Sequence, residues 1–464
     1  MTTNWKKGIL GLVALSVCGC KLGPNYKRPD VTVPTQYRGE PPAPSGQTQA
    51  GQLFGEMQWE SVFQDQTLQG LIKEALTNNY DIRIAATRVL EANANLGIVR
   101  ANQFPTLNAA DSLQYTRTPI SPTATAFNTA SLSLDYIVDF WGQYRRATES
   151  ARATLLATQY GQSVVQTTLI SSVAANYFLL RQYDAQLVYS NDTVEADKGI
   201  LQLNTVKFKG GDASLMDVYQ AQTLLQQAEA QAINLKQLVE QTENDLSILL
   251  GRNPGSITRG LSLTEQPHVA EIPAGLPSTL LERRPDVRSA EENLVAANAN
   301  VGVAKAAFFP QISLTGQYGL SSVISGFLAG PAPFWAVGGQ IAQPIFQGGR
   351  IKSSYRLAWA QRDEAELAYK QTVQKAFQDV SNSLVGYYQA RQFRMKLEEQ
   401  TNTYKDAASL ANVRFQGGVT SFLEVLIIQQ DYFASELSLA AAWYAELANY
   451  VQLYQSLGGG WQPY

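Results

Sequence analysis

Cysteine, histidine and methionine are scarce in this chain: two, one and four among 464 residues. Each scarcity excludes something. Once residues 1–19 are set aside as a leader, Cys20 is the only cysteine, so neither a disulfide framework nor a cysteine metal site is available. The single histidine, His268, stands in a Pro/Gly-rich connector without a histidine partner. It reads as a surface loop residue rather than a ligand or a base. No phosphate-binding glycine loop or nucleophile elbow occurs, which leaves no catalytic set and argues against an enzyme. No basic block points to nucleic acid. Met57, Met216 and Met395, the methionines beyond the leader, give no support to a thioether path for metals. Beyond the leader no apolar run reaches about 18 residues, so no transmembrane helix is expected. No metal or cofactor is expected apart from a covalent lipid.

That lipid belongs to the start of the chain. Lys6 and Lys7 form a basic segment, and Gly8 to Val17 is apolar but too short to span a bilayer. The run Val17-Cys18-Gly19-Cys20 resembles a bacterial lipobox, in which Cys20 becomes the acylated first residue. Acylation adds membrane affinity in proportion to the methylenes buried. Lys21 follows, not the aspartate that holds such lipoproteins at the inner membrane, so the outer membrane is open. Losing Lys6 and Lys7 leaves 34 of 36 basic residues against 39 acidic, a net charge of −5. Residues 20–56, with Pro24, Pro29, Pro34, Pro41, Pro42 and Pro44, read as an extended tether.

The chain does contain a duplication. Ala92 to Pro105 (ANANLGIVRANQFP) returns as Ala297 to Pro310 (ANANVGVAKAAFFP), with eight of 14 positions identical. The same shift pairs Asp81 with Asp286, Arg83 with Arg288 and Arg145 with Arg350. A second pair, Phe208 to Val218 (FKGGDASLMDV) and Phe415 to Val425 (FQGGVTSFLEV), keeps nearly the same offset. Two markers in the same order describe a repeated unit of roughly 200 residues, not a solenoid of short repeats. The boundaries expected are a signal at 1–19, the tether at 20–56, a first repeat at 57–250, a connector at 251–275, a second repeat at 276–457 and a tail at 458–464.

Within each repeat an opening helix (about 62–103 and 286–309) leads to alternating segments and then to a very long helix. Arg145 to Lys209 and Ile351 to Gln416 contain no proline, and each predicts a rod of about 95–100 Å. The return helices (about 214–250 and 421–457) carry 3.5-residue seams, the period of coiled-coil packing. One runs Val218, Ala221, Leu225, Ala228 and on to Leu249; the other runs Leu426, Gln430, Phe433, Leu437 and on to Tyr454.

The alternating segments are 106–118, 130–140, Ile312 to Tyr318 and Trp335 to Ile341. Alternation of apolar and polar residues, as in Ala130, Leu132, Leu134 and Tyr136 against Ser131, Ser133 and Asp135, predicts strands with two unlike faces. At about 10–14 residues each, tilted strands can cross a bilayer. The loop from Thr116 to Thr125 suits an outside surface. Four strands cannot close a barrel, yet an open sheet edge in lipid leaves backbone groups unpaired. Copies of the chain must pool strands: two would give eight, three would give twelve.

Gly275 to Glu291 (GLPSTLLERRPDVRSAE), running into Ala296 to Gly316 (AANANVGVAKAAFFPQISLTG), resembles the TolC-like outer-membrane factors of RND efflux pumps, in particular their NodT group of lipoproteins. The start from Cys20 to Pro29 is similar too, and the resemblance covers nearly the whole chain. It implies an α+β membrane protein: a homotrimer with one twelve-stranded transmembrane β-barrel, four strands per chain, continuous with a periplasmic α-helical coiled-coil barrel. It also implies a periplasmic adaptor and an inner-membrane RND pump as partners, beside outer-membrane lipid. The function implied is a passive exit duct for small molecules.

The two Phe-x-Gly-Gly stretches fall between rod and return helix. Gly210 and Gly417, each followed by a second glycine (Gly211, Gly418), are expected as left-handed helix stops. Ser214 with Asp217, and Ser421 with Glu424, fit capping boxes. The resemblance gives Glu424 a second role, as a periplasmic gate carboxylate with Leu423 as the apolar constriction. Ile427 takes the position of a second acid in some relatives, so a single acidic ring is expected. Two other readings stay open: a channel for type I protein secretion, and a non-channel coiled-coil lipoprotein bridging the envelope. The cargo is not legible.

Overall fold

The structure, a computed structural model, describes residues 20–38, 54–117, 125–268, 272, 277–323 and 330–461. The expected leader, most of the loop between Thr116 and Thr125, and parts of the tether, connector and tail lie outside the described residues. The chain divides into two compact units. A sheet unit gathers the N-terminal residues as far as Val31 with Thr87–Tyr160 and Ser289–Gln371. A helical unit gathers Thr32–Ala86, Gly161–Arg288 and Thr372–Tyr464.

In chain order, a short helical turn at Trp59–Val62 precedes α1 (Gln66–Asn78), α2 (Tyr80–Ala101), β1 (Thr106–Thr116), β2 (Thr125–Val138), α3 (Gln143–Gly210) and α4 (Leu215–Leu249). After the connector come α5 (Pro277–Arg283), α6 (Pro285–Ala306), β3 (Gln311–Val323), β4 (Ala332–Ala342), α7 (Arg350–Gln416) and α8 (Phe422–Ser456). The rods α3 and α7 are 68 and 67 residues long, about 100 Å at 1.5 Å per residue. Freedom from proline allows that length, and the interior Gly386 has its own reason. A Cβ there would lie 2.3 Å from Asn449 Oδ1, so glycine lets α7 approach α8.

The first opening helix is not one helix but two. Asn79 breaks it without proline or glycine, because its side chain caps α2. Its Oδ1 accepts from the Asp81 and Ile82 amides at 2.8 and 3.3 Å, and its Nδ2 donates to Leu249 O at 3.0 Å. One stretch of α3 is long and apolar enough to cross a membrane, yet more than half of it is buried. Part of α3 is packed inside: Leu169, Ile170, Val173, Ala174, Tyr177, Phe178 and Leu180 are all buried, while Val188, Val206 and Phe208 nearer its end are exposed.

Aromatic rings anchor the helical unit. Phe54 stands 5.0 and 5.5 Å from Tyr450 and Tyr454, and Phe63 lies 5.8 Å from Tyr454. The Tyr454 hydroxyl donates to Met57 O at 2.7 Å, so its buried oxygen is satisfied. The seam of α4 matches expectation at Ala221, Ala228, Leu235, Val239, Thr242 and Leu246. In α8 it is displaced near the start of the helix. There the buried line runs through Phe422, Val425 and Ser435, while Leu426, Gln430, Phe433 and Leu437 stay half-buried or exposed. Burial within one chain selects a different stripe from the one chosen by apolar spacing alone.

Asp65 ties the connector to the bundle. Its carboxylate caps α1 through the Thr67 amide at 2.8 Å. It also accepts from Tyr177 Oη at 2.7 Å and from Leu261 N and Gln266 Nε2 at 3.0 Å. Gly260 is required beside it, since a Cβ there would meet Asp65 Oδ1 at 2.3 Å. Burial alone would raise the carboxyl, but the bonds from Gln266, Tyr177, Thr67 and Leu261 outweigh it and hold the group below its ordinary value. A depressed folded pKa contributes stability that is present above the unfolded value of about 4 and is lost as pH falls through the folded one. We expect Asp65→Asn to lower stability at neutral pH by ~2–3 kcal/mol and to flatten the acid limb of the unfolding midpoint between neutral pH and about pH 3. An unchanged acid limb would remove Asp65 from this account.

His268 is not a free loop residue. Its Nε2 lies 3.1 Å from Oε1 of the fully buried Glu446, which is also bound by Arg394. The bond to Glu446 raises the imidazole pKa, so this clasp is strongest on the acid side and fades as pH rises through the folded value. A lone histidine gave no metal signal in the sequence, and a buried acid on α8 had no sequence mark at all.

Candidate functional site

The four strands form one antiparallel sheet in the order β1-β2-β3-β4. Register sorts the side chains by face. Leu107 opposes Leu134, Leu132 opposes Tyr318, and Tyr318 opposes Trp335. Tyr136 opposes Leu314 and Ile312 opposes Ile341. These apolar residues share one face. The other carries Asn108, Ser131, Ser133, Asp135, Thr315, Gln317 and Gln340, with Gln317 Nε2 donating to Ser131 Oγ at 3.1 Å. The apolar face is bare: Trp335, Val337 and Ile341 are 76, 80 and 71 % exposed. Among the described residues no second sheet covers it, which excludes a sandwich there. So large an exposed apolar surface in a folded chain marks a membrane or a partner.

Strand length agrees with a bilayer. At about 3.3 Å per residue, 11 to 14 residues tilted by about 45° rise about 26–33 Å, which brackets the roughly 30 Å depth of the hydrocarbon layer. Aromatic residues gather at the foot of the sheet. Phe104 precedes β1, Phe140 and Trp141 follow β2, Phe308 and Phe309 precede β3, and Phe346 follows β4. Trp141 stacks on Phe309 at 4.8 Å and donates its Nε1–H to Pro310 O at 2.7 Å. Such a girdle suits a membrane–water boundary. Among the described residues the outer edges of β1 and β4 have no strand beside them, so two rows of backbone groups await pairing.

Composition predicts that the N-terminal residues hang as a tether. Instead, residues 21–28 are strapped onto the sheet unit. Leu22 N donates to Trp141 O at 3.2 Å, and Leu22 O accepts from Arg146 Nε at 3.0 Å. Arg146 Nη2 reaches Asn25 Oδ1 at 2.8 Å, and Lys21 pairs with Glu149 at 2.8 Å. Arg28 grips Glu291 through two bonds of 2.7 and 2.8 Å. The repeated motif explains the second anchor. Asn298 Nδ2 donates to Pro24 O at 3.0 Å, and a Cβ on Gly302 would lie 2.7 Å from Leu22 O. Gly23, at φ +96°, packs against Gly302 so closely that its own Cβ would stand 2.5 Å from the Gly302 Cα. Gly97, the equivalent of Gly302 in the first copy, meets nothing. The strap brings the exposed Cys20 to Gly142, where β2 gives way to α3. Proline-rich composition resembled a linker because its partners lie more than 100 residues away.

At the rod ends the left-handed residues are Gly211 (φ +84°) and Gly418 (φ +73°), not Gly210 and Gly417. Both turns close as Schellman motifs: Asp212 N donates to Lys207 O and Gly211 N to Phe208 O, then Val419 N to Arg414 O and Gly418 N to Phe415 O. The first glycine of each pair completes the last helical turn, which moves the stop by one residue. Ser214 and Asp217 form the expected capping box. Ser421 and Glu424 do not: the Ser421 side chain makes no cap bond, and the Glu424 carboxylate bonds to Thr420 Oγ1 and pairs with Arg414 at 3.6 Å. Phe422 and Val425 pack into a core with Ala221 and Ala411. Leu423 and Ile427, one turn apart, are exposed, and Glu424 between them is half-buried. The acid of the second turn is therefore not consumed by its own helix.

A family model described as outer membrane efflux protein matches residues 71–252 and 276–459. The chain is 35 % identical to the toluene efflux pump outer membrane protein TtgC of Pseudomonas putida, over 97 % of this chain and 95 % of that protein. It is 32 % identical to the cation efflux system protein CusC of Escherichia coli K12, over 97 % and 98 %. The structure also superposes on the CmeC outer membrane channel of Campylobacter jejuni with a TM-score of 0.86, 25 % identity and 96 % coverage of both chains. With a bare apolar sheet of bilayer depth and matches along both repeats, the chain belongs to the outer membrane efflux protein family.

Proposed function

We propose that three copies of this chain pool their sheets into one twelve-stranded barrel, which serves as the passive outer-membrane duct of a tripartite efflux pump. The observation that carries this reading is the sheet itself: four strands, one apolar face, one polar face and two open edges. In lipid each unpaired backbone group costs several kcal/mol, so β1 of one copy must meet β4 of the next. Three copies supply the number that the family resemblance implies. The rods and return helices then form a periplasmic coiled-coil tunnel, and the polar sheet face lines the pore of the barrel. A periplasmic adaptor and an inner-membrane RND pump are the partners, and lipid on Cys20 adds an anchor. Relatives are named for toluene and for cations. The duct accordingly imposes little choice of cargo, and the pump and adaptor select it.

The tip of α8 is the gate in this reading. Leu423 and Ile427 provide the apolar constriction, and Glu424 provides a charge whose partner, Arg414, sits on the adjoining rod α7. Separating that pair would accompany opening. Mass measurement of the mature protein in detergent, paired with planar-bilayer recording, tests the assembly. Three chains per particle and discrete conductance steps are expected. A monomer that opens no pore ends the proposal.

A further inference from the structure

A cavity of about 210 Å³ opens in the helical unit among α3, α4 and α8. Asp197 lines it from α3, Leu224 and Ala228 from α4, and Gln429 and Phe433 from α8. Asp197 is 2 % exposed, yet its Oδ2 has no hydrogen-bond partner among the described residues. Gln429 Oε1 is also buried without one, while the Gln429 Nε2 is directed to Asn412 Oδ1 at 3.4 Å. Two side chains with bare acceptors, one of them a carboxylate, therefore line a single small space. Gln430 Nε2 donates to Gln227 Oε1 at 3.3 Å; both residues are exposed and line the same cavity, so they form its mouth.

A buried polar group without a partner carries a desolvation penalty, greatest for an ion. The chemistry of the wall narrows what would relieve it. An anion is repelled by the carboxylate. Calcium or magnesium would need six or more oxygen ligands and zinc four nitrogen, sulfur or carboxylate ligands, and much of this wall is Leu224, Ala228 and Phe433. There remains a positive group bearing N–H donors on an apolar body. We propose that the cavity binds a small primary ammonium ion, its nitrogen on Asp197 Oδ2 and Gln429 Oε1 and its carbon chain against Leu224, Ala228 and Phe433. Because the occupant touches three helices about 20 Å from the end of the α3 rod, it would lock their mutual packing. All the lining residues belong to one chain and none is a gate residue, so the amine site and the assembly are tested by separate measurements.

Burial alone pushes the Asp197 carboxyl up to about 6. No other residue lining the cavity from α3, α4 or α8 titrates; Thr193, Gln227, Gln429 and Gln430 are its remaining polar groups. A proton on Asp197 competes with the ammonium, so affinity should fall as pH drops through that value. The probe is n-butylammonium chloride, titrated by calorimetry into the full-length protein in detergent, with 1-butanol and sodium chloride as controls. Saturable binding of the amine alone is expected at neutral pH, weakened about tenfold or more by Asp197→Asn. Leu224→Trp, which fills the space and leaves the carboxylate, should abolish it. Circular dichroism checks that both variants keep their helix content. Equal affinity in Asp197→Asn, equal binding of 1-butanol, or no saturable binding to the wild type would each overturn the proposal.

Discussion

Val337→Arg should remove this protein from the outer membrane. Val337 is the middle residue of β4, lies opposite Gly316 and is 80 % exposed on the apolar face. A guanidinium at that depth costs ~2–4 kcal/mol per chain, and an assembly of identical copies suffers it once in each. That is a large fraction of the whole stability of a marginal fold. The fraction of protein recovered as a heat-resistant oligomer from purified outer membranes measures the effect, and a fall to near zero is expected. Ser133→Arg is the matched control, because Ser133 opposes Gln317 on the polar face. It should assemble normally. The reverse outcome would mean that the two faces have been assigned the wrong way round.

If the proposed gate is right, joint substitution of Leu423→Ala and Glu424→Ala should raise the conductance of the closed channel by about tenfold, since it removes both the apolar and the charged side chain assigned to that gate. The two side chains leave the tip core, which is built by Phe422 and Val425, so the helix itself should survive. Arg414→Ala should produce a smaller rise by freeing Glu424 from its ion pair. Asp217→Ala serves as the contrast. It breaks the capping box of α4, worth ~1 kcal/mol, and should leave conductance alone. Single-channel recording separates these outcomes. An unchanged double variant would take the gate away from this turn.

Much of the fold was legible because its signals are periodic. Leu132, Leu134 and Tyr136 alternate with Ser133 and Asp135, and they fall on opposite faces of β2 as alternation requires. Proline-free runs placed both rods within two residues of their ends. The hidden part depends on meetings between distant residues. The Arg28–Glu291 pair spans 263 positions, and Asp65 gathers donors from Tyr177, Leu261 and Gln266. No local pattern announces either. The site was readable to one turn of helix but not to one atom. Ser-x-x-Glu at Ser421 satisfies the capping pattern, yet Thr420 and Arg414 capture the carboxylate first. Likewise two adjacent glycines mark a helix stop without saying which adopts the left-handed backbone.

The strap formed by residues 21–28 owes its hold to Lys21, Gly23, Asn25 and Arg28, and nothing to the sulfur that precedes them. Anchorage and architecture are thus written in different atoms. A Cys20→Ser chain would forfeit its grease but retain its buckle, which makes the contribution of acylation to export separable from its contribution to folding. Conversely, a peptide label fused ahead of residue 20 would emerge beside Gly142, against the β2–α3 corner. The front of this molecule is a keystone, not a loose handle.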